Sequence, residues 1–88
     1  MRYSVSFERR AERDFSDIFK QGSAALKRQL DAALDILGEN PYSHRRIRKL
    51  TSGEWRLRAG DYRIRYRISG LDVVITRAAH RRDVYRDI

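Results

Sequence analysis

The 88-residue chain has no cysteine, one proline, one methionine and two histidines. Without thiols there is no disulfide framework and no thiolate metal site, which fits a reducing compartment. His44 and His80 are far apart in the sequence, and no dense cluster of histidines and carboxylates marks a metal site. Neither a metal nor any other cofactor is expected. Long apolar runs are also missing, and no stretch approaches the ~20 residues of a membrane span. The first turns of the chain are interrupted by Arg2, Glu8, Arg9, Arg10, Glu12, Arg13, Asp14 and Asp17, which leaves no apolar signal-peptide core. The expectation is a soluble cytoplasmic protein with no membrane partner. Repeats, linkers and low-complexity stretches are absent too. The length allows a single domain, 1–88, with one modest core.

What is abundant is positive charge. The net charge is +8. Residues 1–44 carry seven Lys/Arg and seven Asp/Glu, whereas residues 45–88 carry thirteen and five, so the second half holds the whole excess (13 − 5 = 8). Such asymmetry points to a polyanionic partner: nucleic acid, an acidic protein, or both.

The apolar pattern gives the elements. Tyr3, Val5 and Phe7 alternate with Ser4 and Ser6 as in a short half-buried strand. Ala11, Phe15, Ile18 and Phe19 recur at helical spacing, Gly22 stops that helix, and Ser23 is placed to cap the next. Leu26, Leu30, Ala33, Leu34 and Leu37 form the second stripe, ended by Gly38 and Pro41. Residues 42–53 show no clear period. "EWRLRA", "YRIRYRI" and "LDVVITRAA" then read as three strands joined by tight turns at Gly60–Asp61 and Ser69–Gly70. The predicted order is β-α-α-β-β-β: an α+β domain with a helical hairpin packed on one face of a mainly antiparallel sheet.

A two-residue loop at Gly60–Asp61 fixes a register. It pairs Ala59 with Tyr62, Arg58 with Arg63, Leu57 with Ile64, Arg56 with Arg65, Trp55 with Tyr66, and Glu54 with Arg67. Trp55 and Tyr66 fall on the apolar face and read as core. The other face opposes arginine to arginine twice, at a cost of ~0.2–1 kcal/mol each. One reading is a solvated face of spread arginine stems. The other is a site for several phosphates, which suits a planar fork that never loses its charge. His80, Arg81, Arg82 and Tyr85 follow the last strand directly. Beside an arginine platform, His80 and Tyr85 become proton-transfer candidates.

"YSVSF" with Ala11, the "NP" after the second helix, "IRKL", "WRLRAGDYRIRYRI" and the terminal "HRRDVYR" together resemble the RelE/ParE toxin superfamily, in its RelE-like branch. The resemblance spans nearly the whole chain. It implies a RelE-like fold and an mRNA interferase that cuts mRNA in the ribosomal A site and is held inactive by an antitoxin. Carried over residue by residue, it makes Arg56 and Arg58 the basic pair, Arg63 the arginine of the next strand, Arg81 the arginine past the last strand, and Tyr85 the terminal tyrosine. Arginine at 56 and 58 stands where the best-known form of the family has lysine, so proton transfer is not expected there.

Cleavage of RNA without a metal uses the 2′-OH as nucleophile on the adjacent phosphorus. It needs a base, charge stabilisation at the phosphoryl oxygens, and a proton for the 5′-oxygen. Arg63 and Arg81 are candidates for the developing charge, Arg56 and Arg58 for positioning the backbone, and Tyr85 or His80 for the base. Arg45, Arg46, Arg48 and Lys49, with Arg65 and Arg82, are candidate RNA contacts. The expected partners are an acidic antitoxin, the ribosome and mRNA, with operator DNA reached only through the antitoxin. A ParE-like poison of DNA gyrase and a non-catalytic co-repressor share the expected fold and remain the alternatives.

Overall fold

Residues 2–82 are described by a computed structural model of the chain. A short strand, β1 (Ser4–Phe7), leads into helices α1 (Arg9–Gln21) and α2 (Ala24–Glu39). Strands β2 (Ile47–Lys49), β3 (Trp55–Ala59), β4 (Tyr62–Ser69) and β5 (Asp72–His80) complete the described residues. Among them no helix is long and apolar enough to cross a membrane.

The helices follow their expected signals closely. Ser23 Oγ accepts from the Leu26 amide at 3.2 Å, closing the N-terminal cap of α2. Gly38, expected to end that helix, lies inside its last turn, and the helix stops at Asn40 instead. The Gly38 carbonyl accepts from the Tyr3 amide at 2.7 Å, which ties the end of α2 to the start of β1. The Asn40 side chain then accepts from the Tyr42 and Ser43 amides, turning the chain towards β2.

The sheet has five strands in the order β1-β5-β4-β3-β2, one more than the sequence reading gave. The addition is β2, within the segment that showed no period. Three residues are too few for alternation to register, and what makes them a strand is pairing with β3: Ile47 opposite Leu57, Arg48 opposite Arg56, and Lys49 opposite Trp55. β1 runs parallel to β5 at the opposite edge, and the other neighbours are antiparallel.

The β3–β4 register places Trp55 opposite Tyr66, Arg56 opposite Arg65, Leu57 opposite Ile64, Arg58 opposite Arg63, and Ala59 opposite Tyr62, as the two-residue loop requires. Gly60 has φ +62°, a conformation glycine adopts without strain. One face of the sheet packs on the helices. Its buried core joins Ala11 and Phe15 of α1, Leu30, Ala33 and Leu37 of α2, and Leu57, Ile64, Tyr66, Val73 and Ile75 of the strands. Tyr66 is fully buried, and its hydroxyl donates to the Pro41 carbonyl at 2.6 Å. Burial pushes its phenol well above the usual tyrosine range. Trp55 is half-buried against the same core and meets the Tyr42 ring edge-on.

A bulge interrupts β4–β5. The pairing steps from Tyr66–Ile75 to Arg65–Arg77, leaving Thr76 without an opposite residue. One extra residue reverses the facing of everything after it. Val73 and Ile75 point into the core before the bulge, and Ala78 and His80 lie on that same helix-covered face after it.

Candidate nucleic-acid interface

The uncovered face of the sheet carries the arginines, and it divides into two electrostatically different halves. In one half each cation meets a carboxylate. Arg65 Nη2 lies 2.6 Å from Glu54 Oε1, and Glu54 Oε2 also accepts from the Thr76 hydroxyl at 2.8 Å. Arg67 Nη1 lies 2.7 Å from Glu8, and Arg77 Nε lies 3.2 Å from Asp14. Glu54 therefore does not serve Arg67, as the sequence register expected. It reaches diagonally to Arg65, and Arg67 is taken by Glu8 from the start of α1. Asp14 also accepts from the Ala78 amide at 3.0 Å, closing the edge of β5 beyond the end of β1.

In the other half, Arg56 and Arg58 of β3, Arg63 of β4, and Arg45, Arg46 and Arg48 around β2 line one cleft of about 240 Å³ with Ile47. No carboxylate is among the described residues lining it. β2 makes the cleft possible, because it brings Arg48 directly beside Arg56. Upstream of β2, His44 Nδ1 accepts from the Arg46 amide at 3.1 Å and so shapes the loop that carries Arg45 and Arg46. Arg63 Nη1 donates to the carbonyls of Gly60 at 2.9 Å and Tyr62 at 3.1 Å, which folds its guanidinium back over the turn. Concentrated guanidinium groups in a concavity suit several phosphates at once.

The remaining candidates are placed as follows. Lys49 is the cross-strand partner of Trp55, and its ammonium lies 5.5 Å from that ring, on the face opposite the arginine cleft. His80 is the partner of Tyr62, with ring centroids 5.4 Å apart. The bulge therefore turns it towards the helix side, where Asp14 and Asp17 of α1 line a neighbouring cleft. Arg81 and Arg82 are exposed. The Arg81 amide donates to the Asp61 carbonyl at 2.7 Å, and the Arg82 amide to His80 Nδ1 at 3.3 Å. Tyr85 lies outside the described residues. Glu8 and Asp14 were not singled out from the sequence as partners of these arginines, and Glu54 was read only as the partner of Arg67. Nothing in their local spacing marks them. Among the described residues no three His, Asp or Glu side chains are grouped as metal ligands would be.

Two helices packed on a five-stranded, mostly antiparallel sheet are the fold of the RelE-like toxins. Solved structures bear this out. YafQ from E. coli superposes with a TM-score of 0.76 at 13% identity, covering 94% of this chain and 98% of that one. The RelB–RelE antitoxin–toxin complex from Methanococcus jannaschii gives 0.72 at 19% identity, covering 96% and 99%. The archaeal RelE–RelB complex from Pyrococcus horikoshii gives 0.73 at 24% identity, covering 92% and 97%. None of the curated proteins matches the chain by sequence. The profile of one family, described as ParE toxin of type II toxin-antitoxin system, parDE, matches residues 5–85. The chain belongs to that family and is the toxin of a type II toxin–antitoxin system.

Proposed function

We propose that the chain is a RelE-like mRNA interferase, which enters the ribosomal A site and cuts the mRNA there. The observation that carries this reading is the convergence of six arginines, from β2, β3, β4 and the loop before β2, on one cleft. A merely solvated surface has no reason to gather six cations around one concavity. Arg58 and Arg63 stand directly opposite one another, so one phosphate can be met by both.

In this mechanism Arg56 and Arg58, with Arg45, Arg46 and Arg48, hold the RNA backbone, and Arg65 and Arg82 flank the track. Arg63 and Arg81 meet the charge that develops on the phosphoryl oxygens. Tyr85 takes the proton of the 2′-OH. The 2′-oxygen bonds to phosphorus, the bond to the 5′-oxygen breaks, and that oxygen regains a proton from solvent. His80 is the weaker choice for the base because it shares the face of Tyr62 rather than that of Arg63. Lys49, on the Trp55 side, would contact RNA away from the cleft. The acidic segment of a cognate antitoxin is the natural occupant of the cleft in the inactive complex.

The test is induction of the chain without its antitoxin, with transcript ends mapped across translated mRNAs. Cuts within codons support the reading, and Tyr85→Phe is expected to slow cleavage about 10²–10⁴-fold with ribosome binding intact. The second reading, which takes its name from the description of the matching family, is a poison of DNA gyrase. Intact transcripts together with trapped gyrase and DNA breaks would establish it in place of the first. Intact transcripts and intact DNA would leave a co-repressor that acts only with the antitoxin.

A further inference from the structure

We propose that the β3–β4 turn and His80 together form a mount that positions both Arg63 and Arg81, and that His80 is a positioning residue, not a proton carrier. The proposal rests on the cleavage reading above and adds residues to it. Three successive carbonyls of the turn are committed to the two arginines. Gly60 and Tyr62 accept from the Arg63 guanidinium at 2.9 and 3.1 Å, and Asp61, between them, accepts from the Arg81 amide at 2.7 Å. The Asp61 carboxylate also lies 3.9 Å from Arg81 Nε.

His80 closes the mount from the other side. Its ring meets the Tyr62 ring edge-on, and its Nδ1 accepts from the Arg82 amide at 3.3 Å. An accepting Nδ1 carries no proton, which leaves the ring hydrogen to Nε2. This is the geometry of a cap: a side-chain acceptor holding the amide two residues on, where the chain leaves β5. The turn itself is seated on α2. Gly60 has φ +62°, and a Cβ there would come within 2.9 Å of Gln29 Oε1. Long arginine side chains are costly to hold still, and a cation fixed before the reaction stabilises developing charge better than one that must find its place.

The test compares His80→Asn, whose amide oxygen accepts from the same backbone position, with His80→Phe, which keeps an aromatic ring against Tyr62 and offers no acceptor. Single-turnover cleavage is measured beside amide hydrogen exchange at Arg81 and Arg82. His80→Asn is expected to cut within about threefold of the parent, and His80→Phe to lose about tenfold in kcat with KM within about twofold. The Arg82 amide should exchange faster in His80→Phe alone. His80→Ala replaces the Phe variant if that one does not fold. Equal loss in the Asn and Phe variants with both amides protected would overturn the proposal, because the imidazole would then be moving the proton. A parent protein whose Arg81 and Arg82 amides exchange freely would overturn it as well, as would a His80→Phe variant that cuts at the parent rate. If the parent cuts no RNA at all, the cleavage reading falls, and the exchange data still decide whether the mount exists.

Discussion

Arg58 of β3 and Arg63 of β4 stand directly opposite one another in the sheet register. Two guanidinium groups held this way can both meet one phosphate lying between them. Arg63→Ala and Arg81→Ala are each expected to lower the cleavage step by about 10²–10³-fold, the range for removal of one preorganised electrostatic donor. Arg67→Ala, which removes a cation already paired with Glu8, is expected to leave cleavage within about threefold. Single-turnover assays on programmed ribosomes decide this, with binding measured separately. Near-parent rates for both Arg63→Ala and Arg81→Ala would reduce the cleft to a binding surface.

Charge reversal probes the same cleft from the antitoxin's side. Arg56→Glu, Arg58→Glu and Arg63→Glu are each expected to weaken the complex with the cognate antitoxin and to flatten its salt dependence. Titration calorimetry at two ionic strengths measures both effects. Unchanged affinity across all three variants would exclude this cleft from the antitoxin interface.

Glu54 anchors the neutralised half of the face through Arg65 and Thr76. Glu54→Gln keeps the shape and removes the charge, leaving a largely buried guanidinium poorly paired. The expected loss is about 1–3 kcal/mol, below the figure for a fully buried pair because both side chains retain some solvent contact. Urea unfolding gives the value, and a change under about 0.5 kcal/mol would mean that Glu54 is dispensable to the fold.

Tyr66→Phe leaves the buried Pro41 carbonyl without its donor, at an expected cost of about 1–3 kcal/mol. Tyr66 also sets an alkaline limit. Burial raises its folded pKa, so the folded state holds the proton after the unfolded chain has begun to release it. The stabilisation is complete below the unfolded value of about 10 and is lost as pH rises beyond it. Unfolding followed from pH 8 to 11 (roughly the span around that value) should show a slope that Tyr66→Phe reduces. Identical slopes would assign alkaline unfolding to other groups.

Much of this molecule is legible in a single sequence, because the relevant signals are local. Alternation in "WRLRAGDYRIRYRI" and a two-residue loop suffice for the β3–β4 register, since a slip of one residue would turn the arginines into the core. Ser23 marks a helix start for the same kind of reason: its hydroxyl serves an amide three residues away. Tertiary structure alone decides which carboxylate meets which arginine. Glu8 reaches Arg67 across 59 residues and Asp14 reaches Arg77 across 63, and no spacing rule connects such pairs. It also decides that residues 47–49 become a strand, because pairing with the β3 edge is what extends them. The facing of His80 belongs to the same class. Uninterrupted alternation from Val73 and Ile75 would put it on the arginine side, and the extra residue at Thr76 turns it to the helices. A bulge is a compromise among strand pairing, the Thr76–Glu54 hydrogen bond and the packing of α1 against β5, and that compromise exists only once the chain has folded.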